Sequence, residues 1–295
     1  MNELTIEKIS AELGMLAFET GKNMETIDRY IQQKRKENVN TYDLIKMLSK
    51  YLKSKGNTDL AAELGLHGFC ACKMTRLSKV INRLHGETVW GQIFGGVEVP
   101  TETWTDWTLT ERKDFTLFMQ KRILSVISED DYKHALEAVS RTWVSDDGSV
   151  GAEKKDVTLS DLDTFIKESN ESRVNYHGTD NTSLNEFNSE EWKIRREGLK
   201  IISIQIPFLK NKYLSQTDEK MKRYYACRCP WVRASILEGE TVASSFCHCS
   251  LGYHKQGFET FLGRHLEGRV VQSVVDEGVL QCVFEIDIPN DIMEV

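Results

Sequence analysis

Residues 268–288 read GRVVQSVVDEGVLQCVFEIDI, and the pattern of this stretch sets the fold of the C-terminal part of the chain. Its two strand-like runs are Arg269–Val275 and Val279–Ile288, and the tripeptide DEG at 276–278 joins them. A short connection that contains glycine is typical of a hairpin whose turn needs a positive φ angle. The stretch therefore predicts an antiparallel hairpin, in which Cys282 shares a face with the apolar residues of the second strand.

The residues upstream of the hairpin predict a helix and a further strand. Ser250 precedes an apolar-rich run that Gly263 closes, which is typical of a helix with a serine cap and a glycine stop. The pattern at 202–206 alternates isoleucine with polar residues before Pro207, as a half-buried strand does. The C-terminal portion is therefore predicted to be mixed α and β.

The N-terminal half predicts helices. Apolar residues recur at helical spacing from Leu4 to about Leu84, and two further periodic segments cover Thr110–Ile127 and Glu129–Trp143. The predicted fold class is α+β, with a helical N-terminal half followed by a mixed α/β domain that ends in the antiparallel hairpin.

A change in composition divides the chain. Residues 145–188 are rich in Asp, Ser, Asn, Thr and Gly, with one short helical candidate at Ser160–Glu168. We expect a helical region at 1–144, a polar linker or insertion at 145–188, and a cysteine-rich α/β domain at 189–295.

Composition and charge narrow the classes of partner. The chain of 295 residues has 38 Lys and Arg against 45 Asp and Glu, a net charge of -7 that disfavours a nonspecific nucleic-acid binder. The sequence contains neither an apolar run of membrane-spanning length nor a signal-peptide pattern at its start. We therefore expect a cytoplasmic protein that binds neither nucleic acid nor a membrane. A homo-oligomer stays open.

Six of the seven cysteines form Cys-x-Cys pairs, which random scattering of seven cysteines would rarely produce. The pairs are Cys70 with Cys72, Cys227 with Cys229, and Cys247 with Cys249, while Cys282 stands alone. In a reducing compartment such an odd set favours thiols or metal ligands over disulfides. The C-terminal pairs therefore predict a site with thiol chemistry.

The donors of this site suit Zn²⁺, which takes four ligands and binds thiolates well. Cys-x-Cys differs from the usual spacing of two to four residues, so each pair can also lend a single sulfur. We expect one site that uses Cys229, Cys249 and Cys282, with Cys227, Cys247, water or a substrate as the fourth ligand. Structural burial of the thiols and thiol redox chemistry are the alternatives.

Polar and aromatic residues near the pairs supply candidates for ligand binding and proton transfer. Arg233 is suited to clamp a carboxylate, and Trp231 to form the wall of a pocket. Tyr253 and His254 follow Cys249 on the predicted helix, where a hydroxyl and an imidazole suit acid–base roles. Each of these residues is also compatible with a purely structural role.

The blocks FCHCSLGY at 246–253, GRVVQSV at 268–274 and GVLQCVFEI at 278–286 resemble the end of 4-vinyl-reductase-type domains. The L-2-amino-thiazoline-4-carboxylic acid hydrolase-like proteins look similar in the same stretch, and the resemblance covers about residues 190–290. It implies an α/β domain that binds small organic ligands and, in several members, holds zinc through cysteines near the hairpin. By this resemblance, the zinc ligands in the present sequence would be Cys247 or Cys249 together with Cys282.

In sensor-type members of the family an acidic residue and another cysteine lie on the first hairpin strand. The sequence departs from that pattern, since only Gln272 and Ser273 are polar in its stretch Val270–Val275. Cys227 or Cys229 would then replace the missing ligands. The resemblance to the hydrolase-like proteins implies opening of a small heterocycle or cleavage of an amide-like C–N bond, with a zinc-bound water as nucleophile. A non-enzymatic ligand sensor with a structural zinc is the first alternative, and a thiol redox protein is the second.

Overall fold

The structure is a computed structural model, and its described residues group into two compact units. These residues are 23–37, 39, 41–57, 60–61, 64, 71–97, 99, 109–140, 156–176, 185–238 and 242–292. Unit 1 comprises Met1–Cys72 with Pro100–Trp107, and unit 2 comprises Lys73–Val99 with Thr108–Val295.

The described part of unit 1 includes the amphipathic helices α1 (Asn23–Lys36) and α2 (Thr41–Ser54). Their apolar residues recur every three or four positions, so each helix presents one apolar face. Ile27 and Ile31 of α1 and Leu44 of α2 are fully buried in one core cluster. The helical character that the sequence predicts is confirmed for this described part of the N-terminal region.

Unit 2 combines helices with one small sheet. The helices are α3 (Ala71–His85), α4 (Val89–Phe94), α5 (Leu109–Leu124), α6 (Glu129–Val139), α7 (Leu159–Tyr176), α8 (Lys210–Ser215), α9 (Glu219–Ala226), α10 (Arg233–Glu238) and α11 (His248–Leu262). Short 3₁₀ turns cover Asn185–Asn188, Glu190–Trp192 and Ser244–Cys247. None of the helices in the described part of the chain has the length and apolar character that crossing a membrane requires.

The helices α5 and α6 confirm the two helical segments that the periodicity predicts. Compared with the predicted segments, α5 ends three residues earlier and α6 ends four residues earlier. The hydroxyl of Ser128 accepts a hydrogen bond from the backbone N–H of Asp131 at 3.1 Å and caps α6. Three acidic residues occupy the first turn of α6, where the helix dipole favours negative charge. Local sequence therefore fixes the start of the helix that carries part of the site.

The sheet has four antiparallel strands in the order β1-β2-β4-β3. The strands are β1 (Arg195–Glu197), β2 (Lys200–Gln205), β3 (Gly268–Gln272) and β4 (Cys282–Asp287). In the register of the two central strands, Ser203 faces Phe284 and Gln205 faces Cys282. Directly opposite residues share a face, so the sheet places Cys282 beside Gln205 at one end of the face that packs on α11.

The predicted hairpin is present, but its connection is longer than the sequence indicates. The strands β3 and β4 pair antiparallel, and Gly278 has the expected positive φ of 77°. However, β3 ends at Gln272 and β4 begins at Cys282, with a register shift between Val270 and Gln272. The residues after β3 leave the ladder because their backbone groups bond to side chains instead.

The segment expected to be a linker or insertion contains α7, which is a core helix. The short helix predicted at Ser160–Glu168 extends to Tyr176. Leu162 of α7 is buried in the cluster that includes Leu251 of α11 and Phe284 of β4. The ring of Phe165 also stacks on that of Phe261, with 4.4 Å between centroids.

The division into units therefore differs from the boundaries at 144 and 188 that composition suggests. The helices α5 and α6 belong to the same unit as the sheet. Lys113 of α5 pairs with Glu238 of α10 at 2.7 Å, and α6 packs along α11. Composition marks a polar stretch of sequence, whereas contacts between distant segments set the boundary of the unit.

The central helix α11 begins earlier than predicted and ends as predicted. It starts at His248, two residues before the expected Ser250 cap. It ends at Gly263, whose φ of 68° lies in the left-handed region that glycine adopts without strain. Gly252 allows close contact with α6, because a Cβ atom there would lie 2.0 Å from the carbonyl oxygen of Glu137.

Candidate functional site: a buried thiol cluster

Five cysteines of unit 2 come from three segments of the chain. Cys227 and Cys229 follow the end of α9, Cys247 and Cys249 flank the start of α11, and Cys282 opens β4. All five are present as thiols. Cys227, Cys247 and Cys249 are buried, while Cys229 and Cys282 are partly buried.

Four of these thiols lie near one another. The thiol of Cys247 is close enough to Cys282, Cys227 and Cys229 for a negative charge on any of them to raise its pKa. Cys227 acts in the same way on Cys282. We call Cys227, Cys229, Cys247 and Cys282 the thiol cluster. Cysteines from different segments, 18 to 55 positions apart in sequence, meet there because α9, α11 and β4 pack in one unit.

The loop after β3 supplies hydrogen bonds to the thiol cluster. The hydroxyl of Ser273 lies 3.1 Å from the sulfur of Cys247, and it also lowers the pKa of Cys282 through a hydrogen bond. The backbone N–H of Val274 donates to the sulfur of Cys282 at 3.5 Å. These donors explain why the first hairpin strand ends at Gln272.

Burial keeps the thiols of Cys227, Cys247 and Cys282 protonated at neutral pH. Desolvation raises the pKa of Cys282 to about 12 and raises that of Cys247 well above its ordinary value. Burial also raises the pKa of Cys227, and the nearby Arg233 guanidinium opposes this rise. Since the thiolate is the nucleophile and the metal ligand, the cluster needs an added positive charge to become reactive.

The cluster is not arranged as an assembled metal centre. Within the described ranges, no group of three or more His, Cys, Asp or Glu side chains has an arrangement that could hold a metal ion. The sulfur of Cys227, for example, donates to the carbonyl oxygen of Cys229 at 3.8 Å. The structure brings the predicted ligands into one region without placing them around one point.

Cys249, a principal ligand in the prediction from sequence, bonds instead to Ser140, the residue that follows α6. Its sulfur lies 2.8 Å from the hydroxyl of Ser140. Tyr132 is fully buried, and burial raises the pKa of its hydroxyl. Cys249 and Cys229 lie close enough that a negative charge on either thiol raises this pKa further. That hydroxyl has no hydrogen-bond partner among the residues that the structure describes. A buried donor without a partner is costly, so Tyr132 marks the region between these two thiols as incomplete.

The chain matches no protein-family model, no curated protein and no solved structure. The resemblance to 4-vinyl-reductase-type domains therefore stays a prediction from the sequence. The geometry of the site is the basis on which a function can be assigned.

A buried ionic cluster lies beside the thiols, between α6 and α11. Glu137 accepts hydrogen bonds from the Nδ1 atom of His248 at 2.7 Å and from the Nζ atom of Lys255 at 2.6 Å. Lys255 is completely buried and also lies 3.9 Å from Glu259. Burial alone would raise the pKa of Glu137, but the His248 hydrogen bond and the Lys255 charge outweigh it and lower the pKa. We call Glu137, His248 and Lys255 the ionic cluster.

The predicted ligand-binding residues are buried in the protein interior. Trp231 and Arg233 are each only 1% exposed. The Nε atom of Arg233 donates to the carbonyl oxygen of Tyr224 at 2.9 Å, and its guanidinium lies 4.1 Å from the centre of the Tyr224 ring. Arg233 therefore faces the protein interior near Cys227, and its charge acts on that thiol.

The predicted acid–base pair has two different environments. Tyr253 is 42% exposed on the outer side of α11. His254 packs on Phe284 and bonds through both ring nitrogens, with Nδ1 2.7 Å from the Ser203 hydroxyl and Nε2 2.9 Å from the Gln205 side-chain oxygen. An amide oxygen only accepts, so Nε2 carries a proton in this arrangement.

The sequence pattern does not predict several residues of the site. Tyr132, Glu137 and Lys255 lie in helices whose apolar spacing gives no sign that polar side chains are buried there. Ser273 does carry a signal, since it is one of two polar residues in the otherwise apolar stretch Val270–Val275. Of the N-terminal pair, Cys70 lies outside the described residues, and the structure places Cys72 in α3 without describing its side chain.

Proposed function

We propose that unit 2 is a metal-binding module in which Cys227, Cys229, Cys247 and Cys282 bind one soft divalent ion, with zinc as the first candidate. The observation that carries the proposal is the position of Cys247, whose thiol is within electrostatic reach of the other three. Four thiols from three segments match the ligand number and type of a structural zinc site.

The four thiols are of the ligand type that zinc prefers, although no group among the described residues is arranged to hold a metal ion. Rotation of a cysteine side chain between staggered χ1 positions moves its sulfur by about 3 Å. Cys227 and Cys229 lie in an irregular segment and Cys247 precedes α11, so such rotations leave the helices and strands in place. Ionised sulfur at Cys229 would also offer the Tyr132 hydroxyl the acceptor that it lacks among the described residues.

The protonation states favour metal binding over redox chemistry. A redox-active thiol has a lowered pKa, whereas burial raises the pKa of Cys227, Cys247 and Cys282. A divalent ion reverses this effect, because a coordinated thiol loses its proton outright. Buried thiols of this kind therefore suit a ligand role better than a nucleophilic role.

A binding module fits the four thiols better than a hydrolase does. Four protein ligands complete the tetrahedral shell of zinc, whereas a catalytic zinc keeps one position for water. Opening of a heterocyclic ring or cleavage of a C–N bond therefore stays a prediction from the sequence resemblance, as does the small organic ligand. In our proposal the metal joins α9, α11 and β4.

Cobalt titration of the chelator-treated full chain tests this proposal. Thiolate ligation of Co²⁺ gives charge-transfer absorption, and we expect one ion per chain to produce it. Cys247→Ala should weaken cobalt affinity by more than about a hundredfold, since it removes a direct ligand. The matched control is Cys249→Ala, which removes a buried thiol two positions away and should stay within about threefold of wild type.

Two results would contradict the proposal. If the wild-type chain binds no cobalt and retains no metal after anaerobic purification, the metal site does not exist. If Cys249→Ala loses as much affinity as Cys247→Ala, the set of ligands is wrong.

A further inference from the structure

Arg223 is a buried arginine of α9 whose hydrogen bonds go to the loop that follows β3. Its Nε atom donates to the carbonyl oxygen of Val274 at 2.8 Å, and its Nη2 atom donates to that of Val275 at 2.6 Å. Within the described part of the chain, Arg223 makes no ion pair with a carboxylate. A buried cation in such a setting gains from negative charge that develops nearby.

A continuous chain of hydrogen bonds leads from Arg223 to the thiol cluster. The Val274 carbonyl that accepts from Arg223 belongs to the same peptide group as the N–H of Val275. That N–H donates to the hydroxyl oxygen of Ser273 at 3.2 Å, and the hydroxyl lies 3.1 Å from the sulfur of Cys247. Hydrogen bonds in a chain polarise one another, so a cation at one end strengthens the donor at the other.

The direction of the last bond follows from the chemistry of its partners. The Ser273 hydroxyl can accept from Val275 through one lone pair and still donate its own hydrogen to the sulfur. A thiolate has no hydrogen to donate and must accept from Ser273. The N–H of Val274 donates to Cys282 from the same loop, so Arg223 orients donors toward two sulfurs of the cluster.

We propose that Arg223 is a positioning residue for the thiol cluster and that it raises metal affinity through Val275 and the hydroxyl of Ser273. This inference rests on the proposed metal-binding function. It assigns Arg223 and Ser273 a role that neither the cysteine spacing nor the ligand set implies. Partners of this kind around metal ligands are worth about 10- to 100-fold in affinity.

A double-mutant cycle on cobalt affinity tests the inference in the full chain. We expect Arg223→Gln to lower affinity about tenfold and Ser273→Ala to lower it by a similar factor. If the effect passes through Ser273, Arg223→Gln should cost less than about threefold in the Ser273→Ala background. The control is Arg269→Gln on β3, whose partner is the exposed-face Glu285, and it should leave affinity unchanged.

A purely structural role of Arg223 predicts a different result. In that case the loss caused by Arg223→Gln would be the same with and without the Ser273 hydroxyl, and this additivity would overturn the inference. Denaturant unfolding of the metal-free variants reports whether each one folds. If Arg223→Gln does not fold, Arg223→Lys takes its place, because it keeps the charge but cannot bond both the Val274 and the Val275 carbonyl in the same way. Arg223→Lys should then lower cobalt affinity less in the Ser273→Ala background than in wild type.

The inference and the proposed function fail in distinguishable ways. If the wild-type chain binds no cobalt, both the proposed function and the role of Arg223 are wrong. If the wild-type chain binds cobalt and the affinity losses of Arg223→Gln and Ser273→Ala are additive, only the role of Arg223 is wrong.

Discussion

The ionic cluster and the thiol cluster lie side by side at the start of α11, yet their charges are balanced in opposite ways. In the ionic cluster, Glu137 accepts from the Lys255 ammonium at 2.6 Å and from the His248 ring at 2.7 Å, and its pKa is lowered. In the thiol cluster, burial dominates and raises the pKa of Cys247 and Cys282. His248 lies between Cys247 and Cys249 in sequence and belongs to the first cluster, so neighbouring residues on one helix serve different clusters.

Each cluster has its own requirement for charge balance. The ionic cluster contains both signs of charge and is complete within the chain, so it fixes α11 against α6. The thiol cluster contains four groups that all become negative on ionisation. The Arg233 charge opposes the rise in pKa at Cys227 without overcoming it, so an added cation is needed to balance the four groups. We therefore expect the ionic cluster to govern stability without metal, and the thiol cluster to respond to metal.

Loss of the buried ion pair should have the greatest consequence for stability. Glu137→Gln should lower the free energy of unfolding by about 3 to 5 kcal/mol, because it leaves Lys255 buried with less opposing charge. Denaturant unfolding of the metal-free chain measures this free energy. Adding Lys255→Met to Glu137→Gln should restore part of the lost stability, since the unbalanced charge is then removed. A loss below about 1 kcal/mol would mean that the cluster does not govern stability.

Glycine replacements test the close contact of α6 with α11. Gly252→Ala should destabilise the chain by about 2 to 3 kcal/mol, because the added Cβ would lie 2.0 Å from the Glu137 carbonyl oxygen. Gly257→Ala on the same helix is the control, since a Cβ there meets nothing within 4 Å. It should stabilise the chain by about 0.5 to 1 kcal/mol through helix propensity. Equal effects at both positions would contradict the close contact.

Acid should weaken the ionic cluster in a predictable direction. The pKa of Glu137 is lower in the folded chain than its ordinary value. Its contribution to stability is therefore complete above the ordinary carboxyl pKa and is lost as pH falls through the lowered folded value. Unfolding free energies measured from pH 7 downward should fall less steeply for Glu137→Gln than for wild type. A variant at an exposed carboxyl, Glu277→Gln, should follow wild type, and parallel curves for all three would refute the prediction.

The weakest signal should be the alkylation rate of the cluster thiols in the metal-free folded chain. Because the pKa of Cys282 is raised to about 12, its thiolate fraction at pH 7 is on the order of 10⁻⁵. Iodoacetamide labelling followed by peptide mass spectrometry should show Cys247 and Cys282 reacting at least about a hundredfold more slowly than in the unfolded chain. Fast labelling of either one would reopen the redox alternative.

How far the sequence predicts the fold differs between elements. The α+β class, the hairpin pairing and the glycine stop of α11 follow from local pattern, because turn residues and periodicity act over a few positions. The end of β3 at Gln272 could not be predicted, since it depends on hydrogen bonds from the following loop to Arg223 and Cys282. The helix α7 is longer than predicted. Its many polar residues make the narrow buried face around Leu162 difficult to recognise in the sequence.

The amino-acid sequence alone specifies which atoms are available: paired cysteines, an α+β pattern and a hairpin that carries Cys282. How those atoms are used depends on tertiary packing. Cys247 lies near Cys227, Cys229 and Cys282, while Cys249 lies against Ser140. Because α9, α11 and β4 are distant in sequence, the packing of these elements rather than residue spacing sets which sulfurs meet.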